Sequence, residues 1–159
     1  MSSGWLPDLI PLASYGGNWE QYLEAIYAVF KRDFVDSKPV FTGKRMGLKK
    51  VPYEKGKEAT FWHLISAGSV EADRTIDFER SARIAWPRPV IDAHADTKIR
   101  CWTNKRGREN RILLALDDFS YVVVLADRGE YILPWTAYPV EMTYKRDKLR
   151  REYEANKVA

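Results

Sequence analysis

Between residues 98 and 138 the sequence sets four short β-like runs end to end, with only turn-length spacers between them. The runs are 98–104, 111–116, 121–126 and 131–138. The joins are Arg106-Gly107-Arg108-Glu109, Asp117-Asp118-Phe119-Ser120 and Asp127-Arg128-Gly129-Glu130. Strands this short with joins this tight favour antiparallel neighbours, because a parallel pairing needs a crossover of about a dozen residues or more. A four-stranded antiparallel meander is therefore expected.

Helical signals flank that meander. Gly16-Gly17 leads into Asn18, a good N-cap, and Trp19, Tyr22, Leu23, Ile26, Tyr27 and Phe30 then recur at helical spacing. That stripe is core. From Glu71 to Arg83, charges alternate around Ile76, Phe78 and Ala82, which predicts a middle helix capped by Asp73 or Thr75 and stopped by Pro87 and Pro89. A spacer over 90–97 follows it. The charge-dense segment 144–156 predicts a last helix with a solvated face. The expected fold is α+β: an N-terminal helix and a middle helix packed on a C-terminal antiparallel four-stranded meander, with a charged C-terminal helix. Residues 1–16, with two prolines, read as an irregular arm before a single domain over 17–159. The Lys- and Gly-rich stretch 38–60 offers short extended pieces at 40–42 and 48–53. Its Gly43-Lys44-Arg45-Met46-Gly47 lacks the spacing and the Ser/Thr of a phosphate-binding P-loop.

Composition acts mainly by exclusion. An apolar share of 45% and an aromatic share of 13% are too rich for a disordered chain. The single Cys101 rules out an internal disulfide, and two His with one Cys cannot supply a Cys/His zinc cluster. No cofactor and no metal site are expected; His94, between Asp92 and Asp96, reads as a solvated spacer residue. There is no basic then apolar leader and no run of about 18 apolar residues, so neither export nor a membrane span is expected, and a reducing cytoplasmic setting is.

Lys and Arg total 26 against 22 acidic residues, a mild excess whose distribution matters more than its size. Lys98, Arg100, Lys105, Arg106, Arg108 and Arg111 crowd one hairpin with a single acidic residue among them, a surface suited to phosphate. Trp102 and Tyr121 lie beside it as platforms for unpaired bases. The plainer alternative is a solvated hairpin tip.

The order of a helix, the apolar run Phe61-Trp62-His63-Leu64-Ile65, the segment Glu79-Arg80-Ser81-Ala82-Arg83-Ile84-Ala85-Trp86, the strand Tyr121-Val122-Val123-Val124-Leu125 and the strand Thr136-Ala137-Tyr138-Pro139-Val140 carries a resemblance. From about residue 60 onward the chain resembles the barnase–EndoU–colicin–RelE class of small ribonuclease-like toxins, and more narrowly its phage- and mobile-element-associated members. The resemblance implies a metal-independent endoribonuclease in which the RNA 2′-hydroxyl attacks the adjacent phosphodiester. The protein then supplies acid, base and positive charge. His63 is the acid/base residue of that reading, since imidazole titrates near neutrality; the alternative is a packed His in an apolar strand. Arg80 and Arg83, three residues apart, would share a helix face and grip one phosphate, or else form ordinary surface ion pairs. Thr136 and Tyr138 alternate by two and offer two hydroxyls on one strand face. Glu71 is the general base that a lone His would lack. No second His stands on the final strands, which leaves Lys105 to act there by charge alone. The implied partner is RNA, with a cognate protein inhibitor where the chain serves as a toxin.

Two other function classes stay open. One is a phage or mobile-element protein that binds nucleic acid, or inhibits a nucleic-acid enzyme, without catalysis; the other is a protein-interaction module. If the basic hairpin holds RNA, binding should weaken steeply with added salt, and charge reversal of Arg106 and Arg108 should reduce it. Fluorescence anisotropy with a labelled single strand checks this, and an affinity indifferent to both would take the hairpin out of the interface.

Overall fold

In the computed structural model, which describes residues 4–68 and 74–157, helix α1 (Trp19–Phe30) starts where Asn18 accepts a hydrogen bond from the Gln21 amide at 3.1 Å. It buries Tyr22, Leu23, Ile26 and Phe30, the predicted stripe. Its end widens into a π-helical turn, Lys31–Val35, in which the Asp36 amide reaches back five residues to the Lys31 carbonyl and Phe34 extends the stripe. The arm before α1 is tied down rather than loose: the Ile10 amide donates to the Ala82 carbonyl and the Tyr22 hydroxyl to the Ile10 carbonyl, both at 2.8 Å.

Strands β1 (Val40–Phe41) and β2 (Lys44–Met46) form a hairpin whose central residues, Thr42 and Gly43, both have positive φ, 49° and 78°. That geometry matches the right-handed strand twist. Helix α2 (Ala59–Ile65) then occupies the run for which an apolar strand was the alternative. A continuous apolar run carries neither a helical nor a strand period, so only packing could decide it.

Strands β3 (Ser66–Ala67) and β4 (Thr75–Ile76) make a separate antiparallel pair. Thr75 therefore belongs to a strand and does not cap the middle helix; Asp73 lies outside the described residues. Helix α3 (Phe78–Ala82) is capped by Asp77, whose carboxylate accepts from the Glu79 and Arg80 amides at 2.9 and 3.1 Å. Pro87 does not merely stop a helix but starts another, α4 (Pro87–Asp92), because a first-turn residue needs no amide donor. Val90 and Ile91, expected in a spacer, are fully buried on it.

Strands β5 (Ile99–Arg106), β6 (Glu109–Leu116), β7 (Tyr121–Asp127) and β8 (Tyr131–Pro139) are successive antiparallel neighbours. Strand β2 adds to β8 in parallel, which makes one mixed six-stranded sheet in the order β1-β2-β8-β7-β6-β5. Two apolar clusters lie on its opposite faces. Ile99, Ile112, Leu114, Val123 and Leu125 join residues of α1, α2 and α4 in the larger one. Trp102, Leu113, Phe119, Val122 and Val124 meet Leu149 and Tyr153 of the last helix, α5 (Thr143–Asn156), in the smaller.

Helix α5 has no fully buried residue and so depends on few anchors. The strongest is the fully buried Trp102, whose indole Nε1 donates to Glu152 at 2.6 Å. Glu152→Ala, which strands that donor, should cost about 1–3 kcal/mol in urea unfolding, and Glu152→Gln clearly less. Equal losses in the two variants would show that the carboxylate is not what holds α5.

Candidate functional site

The Arg80 guanidinium occupies a junction of three elements. Its Nη1 donates to the Ser66 carbonyl at 2.9 Å and to the Thr136 hydroxyl at 3.0 Å, and its Cζ lies 5.2 Å from the Tyr138 ring centroid. The sequence places it there by simple means. Asp77 fixes the start of α3, α3 packs on β8, and period-two alternation turns Thr136 and Tyr138 to the same side. A bulge helps: Val124 pairs with Thr136 and Leu125 with Pro134, leaving Trp135 as the extra residue. Trp135 receives the His63 ring edge-on at 5.2 Å, with Lys49 and Arg128 at 5.6 and 5.7 Å over its face. The His63 carbonyl and the Ser66 backbone and hydroxyl are held by Arg74.

Arg80 is charged and poorly neutralised. Its side chain is 18% exposed, and its carboxylate neighbour among the described residues, Asp77, stands 3.6 Å from Nε. That is beyond good hydrogen-bond distance, and Nε has no hydrogen-bond partner among the described residues. Burial pulls the guanidinium below its usual range against the opposing pull of Asp77. Buried charges are ordinarily paired, so a cation bonded mainly to neutral oxygens keeps the capacity to attract an anion.

Arg80 and Tyr138 lie on the wall of an open groove of about 870 Å³ that runs between α3, strands β5 and β6, and α5. Arg106, Arg111, Lys145 and Lys148 also line it, with Asp77, Glu79, Glu141 and Glu152. Most of those carboxylates are already engaged: Asp77 caps α3, Glu79 pairs with Arg83 at 3.0 Å, and Glu152 accepts from Trp102 and Asn104. Arg111 donates from Nε to Asn104 at 3.1 Å; burial first, and Arg106 second, lower its affinity for its proton. Tyr138 sits between these arginines. Burial pushes its phenol above the ordinary value, and Arg111 and Arg80 only partly offset this, so it stays protonated as a hydrogen-bond donor.

Of the expected site residues, Arg80, Thr136 and Tyr138 are in contact, and His63 reaches the neighbouring Trp135. His63 is only 4% exposed and does not line the groove. Arg83 turns away: it bonds Glu79 and covers Trp86 at 5.2 Å, so it shares no phosphate with Arg80. Glu71 lies outside the described residues. Trp102 and Tyr121 offer no stacking face, being 0% and 1% exposed, because the sheet is covered on both sides. Strand alternation splits the basic run: Arg106 and Arg111 point into the groove, Lys105 lies on the other strand face, and Lys98 and Arg100 bond Asp96 and the Thr97 carbonyl. Arg108 is exposed at the hairpin tip. Arg111 was expected as part of the basic run, whereas Lys145 and Lys148 were not expected, because their place in the groove follows from the docking of α5.

Cys101 is pushed up to about 11 by burial and carries no reactive thiolate near neutrality. The His94 ring packs tilted against Phe41 at 4.6 Å, while Asp92 pairs with Arg88 and Asp96 with Lys98. No family model, no curated protein and no solved structure matches the chain.

The phenols of Tyr22, Tyr27, Tyr121 and Tyr138 are all raised above 10.0, chiefly by burial. The unfolded chain, whose phenols ionise near 10, then releases protons first. Stability should be full below about pH 10 and fall as pH rises through the folded-state values. Ultraviolet titration should show late-ionising tyrosines, and Tyr138→Phe should remove one. An unchanged titration in that variant would contradict the placement of Tyr138.

Proposed function

We propose that this chain is a metal-independent ribonuclease-like protein that takes single-stranded RNA into the groove beside α5, with a phosphodiester resting on Arg80, Thr136 and Tyr138. One observation carries the reading: Arg80, its charge incompletely neutralised, is bonded to Thr136 and packed over Tyr138 at a groove with further cations. A non-bridging phosphate oxygen can accept from Arg80 and from the protonated Tyr138. Arg111 and Lys148 give the developing phosphorane and the flanking phosphates positive surroundings. The nucleophile is the internal 2′-oxygen, and holding it in line supplies rate by proximity. As the 2′-oxygen bonds to phosphorus the bond to the 5′-oxygen breaks, and His63, against the residue next to Thr136, takes the 2′-hydroxyl proton and returns it to the departing 5′-oxygen, leaving a 2′,3′-cyclic phosphate and a 5′-hydroxyl. In the finer form of this proposal the protein is a toxin-like or phage effector that works on RNA in the cytoplasm, where a cognate protein would restrain it. Among the described residues no helix is long and apolar enough to cross a membrane.

The near-complete burial of His63 favours a second reading, in which the same groove holds RNA without cutting it. Cleavage separates the two. On the first reading an all-RNA oligonucleotide is cut in EDTA, a single 2′-deoxy substitution at the cut site stops the cut, and His63→Ala is folded but inactive. His94→Ala keeps nearly full activity. Cutting of the deoxy strand at an equal rate, or activity lost in EDTA and restored by magnesium, would falsify the mechanism. Salt-sensitive binding with no cleavage supports the second reading.

A further inference from the structure

Two tyrosines line the groove, and they differ in what covers them. The Tyr138 face is taken by the Arg80 guanidinium, whereas Tyr144, in the first turn of α5, is 65% exposed and has no ring or cation partner among the described residues. Met142, two residues earlier at the same rim, is 55% exposed. Lys148 stands four residues after Tyr144, on the same helix face, and both side chains border the groove. An open aromatic face beside a cation, at the mouth of a phosphate-binding groove, is the arrangement by which proteins hold single strands: the cation follows the backbone and the ring takes a base.

From this juxtaposition of Tyr144, Lys148 and the Arg80 pocket, we propose that Tyr144 is a stacking platform for an unpaired base of a single-stranded RNA whose neighbouring phosphate lies in the groove. The inference rests on the RNA reading above and deepens it by naming the strand class. A paired base inside a duplex cannot reach the ring, so the platform selects single strands. It also moves base recognition from the basic hairpin, whose aromatic residues are buried, to the start of the last helix. The charge around the groove favours RNA over a neutral apolar peptide as the occupant, since Arg80, Arg106, Arg111, Lys145 and Lys148 outnumber its carboxylates, of which Glu79 is paired with Arg83.

The test is fluorescence anisotropy of the full chain with three probes: a labelled single-stranded RNA, the same strand with abasic riboses, and the same sequence as a duplex. Tyr144→Ala should weaken the ordinary single strand by roughly 5- to 140-fold, the span of one base-on-aromatic stack. It should leave the abasic strand and the duplex unchanged. Tyr144→Trp should restore binding, Tyr144→Leu should not, and Lys148→Ala should weaken ordinary and abasic strands alike. Because Tyr144 is exposed, its variants should keep the wild-type melting temperature, which is measured alongside. Equal weakening of ordinary and abasic strands by Tyr144→Ala, or full binding by Tyr144→Leu, overturns the platform; the latter would mark the rim as an apolar protein contact. Wild-type protein that binds RNA while Tyr144→Ala binds it equally well overturns the platform and leaves the RNA reading standing. Wild-type protein that binds none of the three probes overturns both.

Discussion

Along β7, Val122 and Val124 enter the apolar cluster on one side of the sheet and Tyr121, Val123 and Leu125 the cluster on the other, all of them shielded from water. A strand apolar on both faces cannot border solvent, so the sheet needs a cover on each side. Helices α1 and α2 supply large interlocking aromatic residues to one cover, and α4 adds Val90 and Ile91. The other is the single polar helix α5. Burying a large apolar side chain stabilises by about 1.5–3 kcal/mol, so the second cover, built on Leu149, Tyr153 and the Trp102–Glu152 bond, is much the thinner of the two.

That asymmetry produces the groove. A helix that touches the sheet through few side chains leaves space along its flank, and the residues facing that space are free to be polar. Arg111 and Asn104, opposite one another on β6 and β5, occupy positions that Leu113 and Trp102 fill nearer the apolar cluster. The exposed rim of α5 adds Tyr144, Lys145 and Lys148 to the same opening. The cost of weak cover on this side is thus linked to the presence of a polar, solvent-reached surface.

Arg80 joins the two halves of the molecule at the edge of that opening. It reaches from α3 to the Ser66 carbonyl at the end of α2 and to Thr136 on β8, so one side chain sets the relation of the His63-bearing helix to the strand that carries the hydroxyls. The bulge at Trp135 matters here as well. Without the extra residue, the alternation of β8 beyond it would reverse, and Thr136 and Tyr138 would exchange faces with Ala137.

Much of this was legible in the sequence because it depends on near neighbours. The α1 stripe and its Asn18 cap, the four meander strands and the charged last helix all follow from local periodicity and turn chemistry. Arg80, Thr136 and Tyr138 were named from the resemblance in element order, and their contact with one another is a result of the fold. What the sequence could not settle was whatever depends on distant partners. The apolar run at 61–65 has no period and became a helix because α1 and β8 receive it; Pro87 opens α4 because its amide was never needed; β2 pairs in parallel with a strand far along the chain. The basic run looked like one patch in one dimension, but the pleat turns Lys105 away and local bonds hold Lys98 and Arg100 at the far end of β5. Trp102 and Tyr121 looked available to bases until both sheet faces were covered. Local order and residue chemistry are properties of adjacent residues. Burial and convergence belong to pairs brought together from across the chain, and only the tertiary structure decided them.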